Sequence, residues 1–191
     1  MARFTTDWFS HVIPLWKEYA VPRVVRGDSD GLEVGTYEGR SALWTLQYLL
    51  PQSHRRLYCL DLWEEEERRS RFQANVAARG VDQRIVQLQG PSSESLRKLP
   101  EDSKFDWIYI DGSHEARDCL TDAVLAFSRL SPGGVLVFDD YQWNARGRVH
   151  HPPRVAIDAF LHMWGNQIEI LHIGYQVMIS KSAKTPVTSQ K

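Results

Sequence analysis

Three aspartates follow directly after two apolar runs of the sequence, where carboxylates could bind a cation. Asp111 comes after the run 105–110, and Asp139 and Asp140 come after the run 134–138. If the two runs are neighbouring parallel strands, the carboxylates meet closely, which is unfavourable unless a cation neutralises them or one is protonated. Carboxylate oxygens favour Mg²⁺, Ca²⁺ or Mn²⁺ over zinc. We therefore expect a divalent-metal site. The alternative is that Asp139 and Asp140 only end a strand and begin a turn.

A histidine lies three residues after the first of these aspartates. His114 has an ordinary pKa near working pH, so it could take a proton from a substrate hydroxyl as a general base. The alternative is a residue at a helix start that hydrogen-bonds backbone or cofactor. The histidines at 150 and 151 lie in the stretch 144–153, which we interpret as a substrate-side loop, because adjacent histidines rarely bind one ion without further ligands.

A glycine turn follows the first apolar run, in the order Glu33-Val-Gly35-Thr-Tyr37-Glu-Gly39-Arg-Ser41. A dinucleotide-binding turn needs glycine where Tyr37 stands, so a pyrophosphate is not the expected ligand. Backbone amides at the start of the following helix still suit a small anion such as a carboxylate. Asp61 ends the next apolar run, where an acid can accept both hydroxyls of a ribose. Together these features suit a nucleoside cofactor without a pyrophosphate, although a glycine turn alone is weak evidence.

Short apolar runs alternate with helical patterns, and this order must position those residues. The runs begin at 32, 56, 84, 105 and 134, and the predicted crossover segments are 41–50, 65–79, 92–98 and 116–130. Such βαβαβ order predicts an α/β fold with a doubly wound, Rossmann-like sheet. A helix at 155–164 and two strands at 167–172 and 175–180 predict an antiparallel hairpin at the edge. The sheet should be mostly parallel, with its ligand site at the carboxyl ends of the strands.

The composition is that of one globular domain. The chain has 191 residues, with 23 Lys and Arg against 24 Asp and Glu, which disfavours a sequence-independent nucleic-acid binder. No apolar run is long enough to span a membrane, and the first residues lack a signal peptide's apolar stretch, so we expect a soluble cytoplasmic protein. The two cysteines, Cys59 and Cys119, are expected to be reduced core thiols. We predict one domain over 1–181, with an N-terminal helix or lid at 1–25, a substrate-side loop at 141–153 and a disordered tail at 182–191.

The motifs, in order, resemble those of class I S-adenosylmethionine-dependent methyltransferases. They are Leu32-Glu-Val-Gly-Thr-Tyr-Glu-Gly-Arg-Ser41, Leu60-Asp61, Gly90-Pro-Ser92, Phe105-Asp-Trp-Ile-Tyr-Ile-Asp-Gly-Ser-His114 and Leu130-Ser-Pro-Gly-Gly-Val-Leu-Val-Phe-Asp-Asp-Tyr141. Within that superfamily they are similar to the small catechol and caffeoyl-CoA O-methyltransferases. The resemblance covers about residues 30–180, and the long N-terminal helices of the plant enzymes are not present, so the resemblance does not transfer a substrate.

The resemblance implies a role for each matching position. It places Glu33 and Gly35 at the methionine end of the cofactor, Ser41 near its carboxylate, Asp61 at the ribose, and Gly90 with Ser92 beside the adenine. The full predicted cofactor set is Glu33, Gly35, Tyr37, Gly39, Ser41, Asp61, Leu62, Gly90, Ser92 and Asp111. The metal positions are Asp111, Asp139 and Asp140, where the related enzymes usually have Asp, Asp and Asn. His114 stands where the catechol enzymes have a lysine base.

The expected function is therefore transfer of a methyl group from S-adenosylmethionine to a hydroxyl of a small molecule, assisted by Mg²⁺ or another divalent cation. Asp111 and His114 are the predicted catalytic residues. Five aromatic residues could form the wall of an acceptor pocket: Trp8, Trp16, Tyr37, Tyr141 and Trp143. The alternative, that they pack in the core, explains at least half of them equally well. The alternatives are a metal-independent methyltransferase, another reaction that uses the same cofactor, and a non-catalytic binding module. Tyr37 disfavours a nicotinamide oxidoreductase. We expect no nucleic-acid or membrane partner, and the edge hairpin would allow a homodimer.

Overall fold

A seven-stranded sheet forms the centre of the molecule in the computed structural model, which describes residues 2–143 and 151–183. The strands are β1 (Asp30–Val34), β2 (Leu57–Asp61), β3 (Ile85–Gln89), β4 (Phe105–Ile110), β5 (Leu130–Phe138), β6 (Ile168–Ile173) and β7 (Val177–Lys181). Their order across the sheet is β3-β2-β1-β4-β5-β7-β6. The first five are parallel, and β7 is antiparallel to both β5 and β6. The prediction of a mostly parallel, Rossmann-like sheet with a C-terminal antiparallel hairpin is confirmed.

Helices cover both faces of this sheet. They are α1 (Ile13–Tyr19), α2 (Val21–Val24), α3 (Arg40–Tyr48), α4 (Glu66–Ala77), α5 (Ser92–Lys98), α6 (Ala116–Phe127) and α7 (Pro153–Trp164). The predicted N-terminal helix begins later than expected, because Trp8 and Phe9 precede a short 3-10 turn, Ser10–Val12. No helix within the described ranges is long and apolar enough to cross a membrane.

Alternation along the strands divides the core into two layers. On β4, Ile108 and Ile110 pack with α5, α6 and α7, whereas Trp107 and Tyr109 face α1 and α3. This follows from the two-residue period of a strand, which points successive side chains to opposite faces. Both cysteines are free and buried, as predicted.

Candidate functional site

A cavity of about 1440 Å³ opens at the carboxyl ends of the parallel strands. The chain passes from β1 to β2 on one side of the sheet and later to β4 on the other, so the cavity lies at the point where strand order reverses. This is the usual ligand site of an open α/β sheet. The cavity exceeds the usual size of a single ligand pocket, roughly 300–1,000 Å³. It therefore has room for a cofactor and an acceptor together.

The turn after β1 needs its glycines because of close packing. Gly35 has φ of 85°, and a β-carbon there would lie 1.8 Å from the carbonyl oxygen of Asp111. Gly39 precedes α3 with φ of 83°, and a β-carbon there would lie 2.7 Å from the ring of Phe72. Both positions are left-handed, where glycine has no steric penalty. The turn is thus held directly against the end of β4.

Glu33 lies beneath this turn with its side chain fully buried. The Ser41 hydroxyl donates to its Oε1 at 2.7 Å, while its Oε2 has no hydrogen-bond partner. Burial raises the pKa of Glu33 to about 8, and the nearby Asp61 carboxylate also raises it. With this pKa the group is mostly protonated at neutral pH, and it is connected to the cavity wall through Ser41, which lines the cavity.

Asp61 organises the two loops that border the cavity. Its two oxygens accept the backbone N–H groups of Tyr37 at 2.7 Å and Trp63 at 2.9 Å. These two residues have φ of 51° and 40°, conformations that are strained for residues other than glycine. Each carboxylate oxygen still has a lone pair for a further donor. Asp61 can therefore hold the loops and accept a ligand hydroxyl.

Asp111 and Asp139 are brought together by a tyrosine. Tyr109 and Asp111 share one face of the sheet, and Asp139 continues the same face on the neighbouring β5. The Tyr109 hydroxyl lies within hydrogen-bond distance of both carboxylates, 3.0 Å from Asp111. Burial, followed by repulsion from Asp139 and Asp140, raises the pKa of Asp111 well above its usual range. A single hydroxyl proton cannot satisfy both carboxylates at once.

Asp140 faces a different set of partners because it is one residue further along the chain. His114 Nε2 lies 2.9 Å from its Oδ2, and the Tyr175 hydroxyl donates to its Oδ1 at 2.9 Å. The His114 ring stacks on Trp143 with centroids 4.3 Å apart. The hydrogen bond to Asp140 raises the pKa of His114, although partial burial opposes this. Asp140 itself has φ of 60°, so the backbone is strained at this point.

The three predicted metal positions are close in the fold but do not converge. Within residues 2–143 and 151–183, no group of three or more His, Cys, Asp or Glu side chains is arranged to hold a metal ion. Tyr109 occupies the space between two of the carboxylates, and Asp140 turns toward His114. The donor chemistry still suits a hard cation, because three partly buried carboxylates lie close together and none has a Lys or Arg within 4 Å among the described residues.

A buried polar chain connects the first helix with this acidic cluster. Trp16 is fully buried, and its indole N–H donates at 2.7 Å to Gln176. The Gln176 amide in turn donates at 2.8 Å to Asp139. The prediction that Trp16 lines the acceptor pocket is therefore wrong, because its ring lies in the core. Tyr141 is also not part of the cavity wall, since its hydroxyl donates to Asp158 on α7.

The N-terminal segment forms another wall of the cavity. Thr5 donates from its backbone and its hydroxyl to the buried Glu38, at 2.7 Å each. Asp7 pairs with Arg40 at 3.3 Å, and the Trp8 ring lies 5.3 Å from that of Tyr37. Residues before α1 are thus attached to the first turn and to the start of α3. Of the predicted aromatic wall, Trp8, Tyr37 and Trp143 do line the cavity.

Most of the predicted site residues border this one cavity. They are Gly35, Tyr37, Ser41, Asp61, Leu62, Gly90, Ser92, Asp111, His114, Asp139 and Asp140. Glu33 and Gly39 lie directly beneath its wall. Sequence reasoning missed Tyr109, Asp122, Tyr175 and Gln176, of which only Tyr109 had a readable signal, since it precedes Asp111 by two residues on the same strand face. Residues 144–150 of the predicted substrate-side loop, and residues 184–191 of the predicted tail, lie outside the described residues.

Comparisons with known proteins agree with this geometry. A family described as a methyltransferase domain matches residues 32–141. Among solved structures, a Corynebacterium glutamicum protein has a TM-score of 0.71 at 19% identity, with 95% of this chain and 85% of that chain covered. No curated protein matches the chain.

Two further solved structures have printed descriptions that bear on chemistry. TomG, an O-methyltransferase from Streptomyces achromogenes involved in tomaymycin synthesis and solved with S-adenosylmethionine, has a TM-score of 0.69 at 20% identity, covering 89% of this chain and 80% of that one. MycE, a methyltransferase of the mycinamycin pathway solved with Mg and S-adenosylhomocysteine, has a TM-score of 0.65 at 17% identity, covering 93% and 51%. The family match and the shared fold confirm the resemblance inferred from the motifs.

Proposed function

Because the chain belongs to the methyltransferase domain family, we propose that it transfers a methyl group from S-adenosylmethionine to a hydroxyl of a small molecule. The observation that carries this proposal is one cavity with two chemically different ends. Asp61 and Ser41, whose hydroxyl donates to the buried Glu33, line the part of the cavity that we call the first end, and His114 with Asp140 lines the second end. The first end offers acceptors to a cationic nucleoside, and the second offers a base to a hydroxyl.

The residues around the first turn fit the cofactor. The unpartnered Oε2 of Glu33 can accept from the amino group of a methionine moiety, and the positive charge of the cofactor would stabilise the Glu33 carboxylate. Asp61 has acceptor capacity for ribose hydroxyls, and Leu62 is half exposed beside it. Solved TomG contains S-adenosylmethionine, and solved MycE contains S-adenosylhomocysteine.

Proton removal is assigned to His114. With Nε2 bonded to Asp140, its Nδ1 is the nitrogen left to accept the hydroxyl proton, and the stacked Trp143 fixes the ring plane. As the proton moves to His114, the substrate oxygen bonds to the methyl carbon, and the carbon–sulfur bond breaks with its electrons going to sulfur. Aligning oxygen, carbon and sulfur can supply about 7–11 kcal/mol of the barrier. Asp140 therefore acts as the residue that positions the base.

Divalent-metal assistance is part of the proposal. Asp111, Asp139 and Asp140 would hold the cation, which when bound would bind the substrate hydroxyl and lower its pKa. The cluster of partly buried carboxylates and the Mg in solved MycE support this version. The second candidate is a metal-independent methyltransferase, favoured by the Tyr109 hydroxyl between Asp111 and Asp139. A small-molecule acceptor and a cytoplasmic location stay predictions. The acceptor would bind against Trp8, Tyr37 and Trp143, which line the cavity.

Calorimetry and mass spectrometry test the proposal. Titration with S-adenosylhomocysteine should show binding, and incubation of S-adenosylmethionine with a catechol should yield a product heavier by one methylene. Reactions run with Mg²⁺ and with excess chelator separate the two candidates. Asp139→Asn should abolish metal-dependent turnover while cofactor affinity is kept, and Asp102→Asn, on an exposed loop, serves as its control. Absence of cofactor binding would overturn the proposal, and full activity in chelator would overturn the metal assignment.

A further inference from the structure

Asp122 is a buried carboxylate on α6 that has no part in the chemistry described above. Its residue is 1% exposed, yet it forms part of the cavity wall. Both of its oxygens lie close to the Ser92 hydroxyl, at 2.8 and 2.9 Å. It also lies beside the end of β4, because a β-carbon on Gly112 would be 3.9 Å from its Oδ2. Asp122 thus sits below the loops that follow β3 and β4.

The hydrogen bonds of this carboxylate are incomplete. A carboxylate offers about four lone-pair sites, and the Ser92 hydroxyl has one proton to give. No Lys, Arg or His lies within 4 Å of Asp122 in the described part of the chain, where the salt bridges of α6 involve its neighbour Asp118. Burial raises the pKa of Asp122 to about 6, so the group is mostly charged at neutral pH. A charged group in this position needs further donors.

A structural role alone does not require the charge. Ser92 begins α5, and its bond to Asp122 ties α5 to α6. The amide oxygen of an asparagine could accept that bond equally well without burial of a charge. Beyond its hydrogen bond with Ser92, the carboxylate has further lone pairs at the cavity wall. These favour a ligand that donates hydrogen bonds.

We infer that Asp122 accepts a hydrogen bond from the 6-amino group of the cofactor's adenine and thereby selects adenine over other purines. The inference rests on the proposed function and on the expectation that the adenine lies beside Gly90 and Ser92, which line the same cavity as Asp122. The 6-amino group is a pure donor and matches an acceptor-only carboxylate. Hypoxanthine carries an oxygen at that position, and two acceptors would then face each other without a proton. Such a mismatch excludes a ligand more strongly than a change in size.

Calorimetry with two ligands that differ only at this position tests the inference. S-adenosylhomocysteine should bind the unchanged protein about 100-fold more tightly than S-inosylhomocysteine, in line with the roughly 10-fold change that each 1.4 kcal/mol produces. In Asp122→Asn the amide can donate to the hypoxanthine oxygen, so S-adenosylhomocysteine should weaken about 10-fold and S-inosylhomocysteine should gain. Glu94→Gln is the matched control, because it removes an exposed carboxylate of α5 that pairs with Lys98 and does not line the cavity. It should leave both affinities unchanged.

The outcomes separate this inference from the proposed function. If the unchanged protein binds neither ligand, the proposed function falls and the inference with it. If it binds both within about threefold, Asp122 does not read the base, whatever the variants do. If it discriminates but Asp122→Asn keeps the same ratio of affinities while losing stability, the carboxylate only holds α5 against α6.

Discussion

The two edges of the sheet differ in whether their ionisable side chains have partners of opposite charge. At the amino ends of the strands, the fully buried Arg55 pairs with Asp106 at 3.1 Å. Its remaining N–H groups donate to backbone carbonyls of Val24, Leu49 and Ser29. At the carboxyl ends, Glu33 and Asp122 are also buried and Asp111 is partly buried, but none has a cationic partner within 4 Å in the described ranges.

This difference indicates that the amino edge stabilises the fold and that the carboxyl edge binds a ligand. The amino edge satisfies its charge with its own groups, so nothing there is left to recognise another molecule. The carboxyl edge keeps acidic groups without cationic partners, and burial raises the pKa of Glu33, Asp111 and Asp122. The three residues other than glycine with positive φ in the described chain, Tyr37, Trp63 and Asp140, also lie at this edge. A strained backbone and acidic groups with raised pKa values at the same edge are typical of a ligand site.

The largest expected effect concerns the amino edge. Arg55→Leu would leave Asp106 buried without its partner, and breaking a buried pair in this way costs about 3–5 kcal/mol. The free energy of unfolding, measured in urea, should fall by that amount. Arg56→Ala is the control, because Arg56 is half exposed and its pair with Asp30 should contribute at most about 1 kcal/mol. Equal small losses in both variants would mean that the amino edge does not depend on its ion pair.

At the carboxyl edge, Glu33 should make stability depend on pH. Its pKa in the fold is about 8, above the ordinary 4.5, so the folded protein holds the proton more tightly than the unfolded chain does. The resulting stability is fully present below pH 4.5 and is lost as pH rises through 8. Between pH 5 and 8 the loss should be on the order of 3 kcal/mol.

Glu33→Gln isolates this contribution. The amide can still accept from Ser41 but cannot titrate, so the difference in unfolding free energy between the two proteins should change across that range. Glu66→Gln, at an exposed position on α4, provides the control and should leave the pH dependence unaltered. A Glu33→Gln profile parallel to that of the unchanged protein would mean that burial does not raise the pKa of Glu33.

The connection between the first helix and the acidic cluster should matter for rate rather than for cofactor binding. Gln176→Leu removes the donor to Asp139, so Asp139 loses its orientation, and turnover should fall about 10-fold. Stability should fall by about 1–3 kcal/mol, because the Trp16 indole N–H loses its acceptor. The dissociation constant of S-adenosylhomocysteine should not change. Gln73→Leu, on the exposed side of α4, is the control, and unchanged turnover in Gln176→Leu would mean that Asp139 is positioned without it.

The order of elements and the edge that carries the acids could be predicted from the sequence, because both depend on local patterns. Apolar runs and helical periods gave the βαβ order, and parallel strands necessarily deliver their carboxyl ends to one edge. The hairpin was readable from two strands separated by a short connection containing Gly174. Individual strand bounds differed by a few residues, as for β5, which begins at Leu130.

The partners of the acids could not be predicted in the same way, because they depend on register and on contacts between distant parts of the chain. That Asp139 meets Tyr109 while Asp140 meets His114 follows from the pairing of Tyr109 with Val137 across β4 and β5. Gln176 reaches Asp139 only after β7 pairs antiparallel to β5. Trp16 was expected in a pocket wall, but an aromatic side chain of a short helix gives no sign of which neighbours will cover it.

The smallest expected effect measures the backbone strain at Asp140. Asp140→Ala and Asp140→Gly both remove the carboxylate, so they should lose turnover equally. They differ in that φ of 60° is penalised for alanine but not for glycine. The glycine variant should therefore be more stable by about 1 kcal/mol in urea unfolding, even though glycine elsewhere usually destabilises through the entropy of the unfolded chain. If alanine were the more stable of the two, Asp140 would not be held in a strained conformation, and the carboxyl edge would differ from the amino edge in its charges alone.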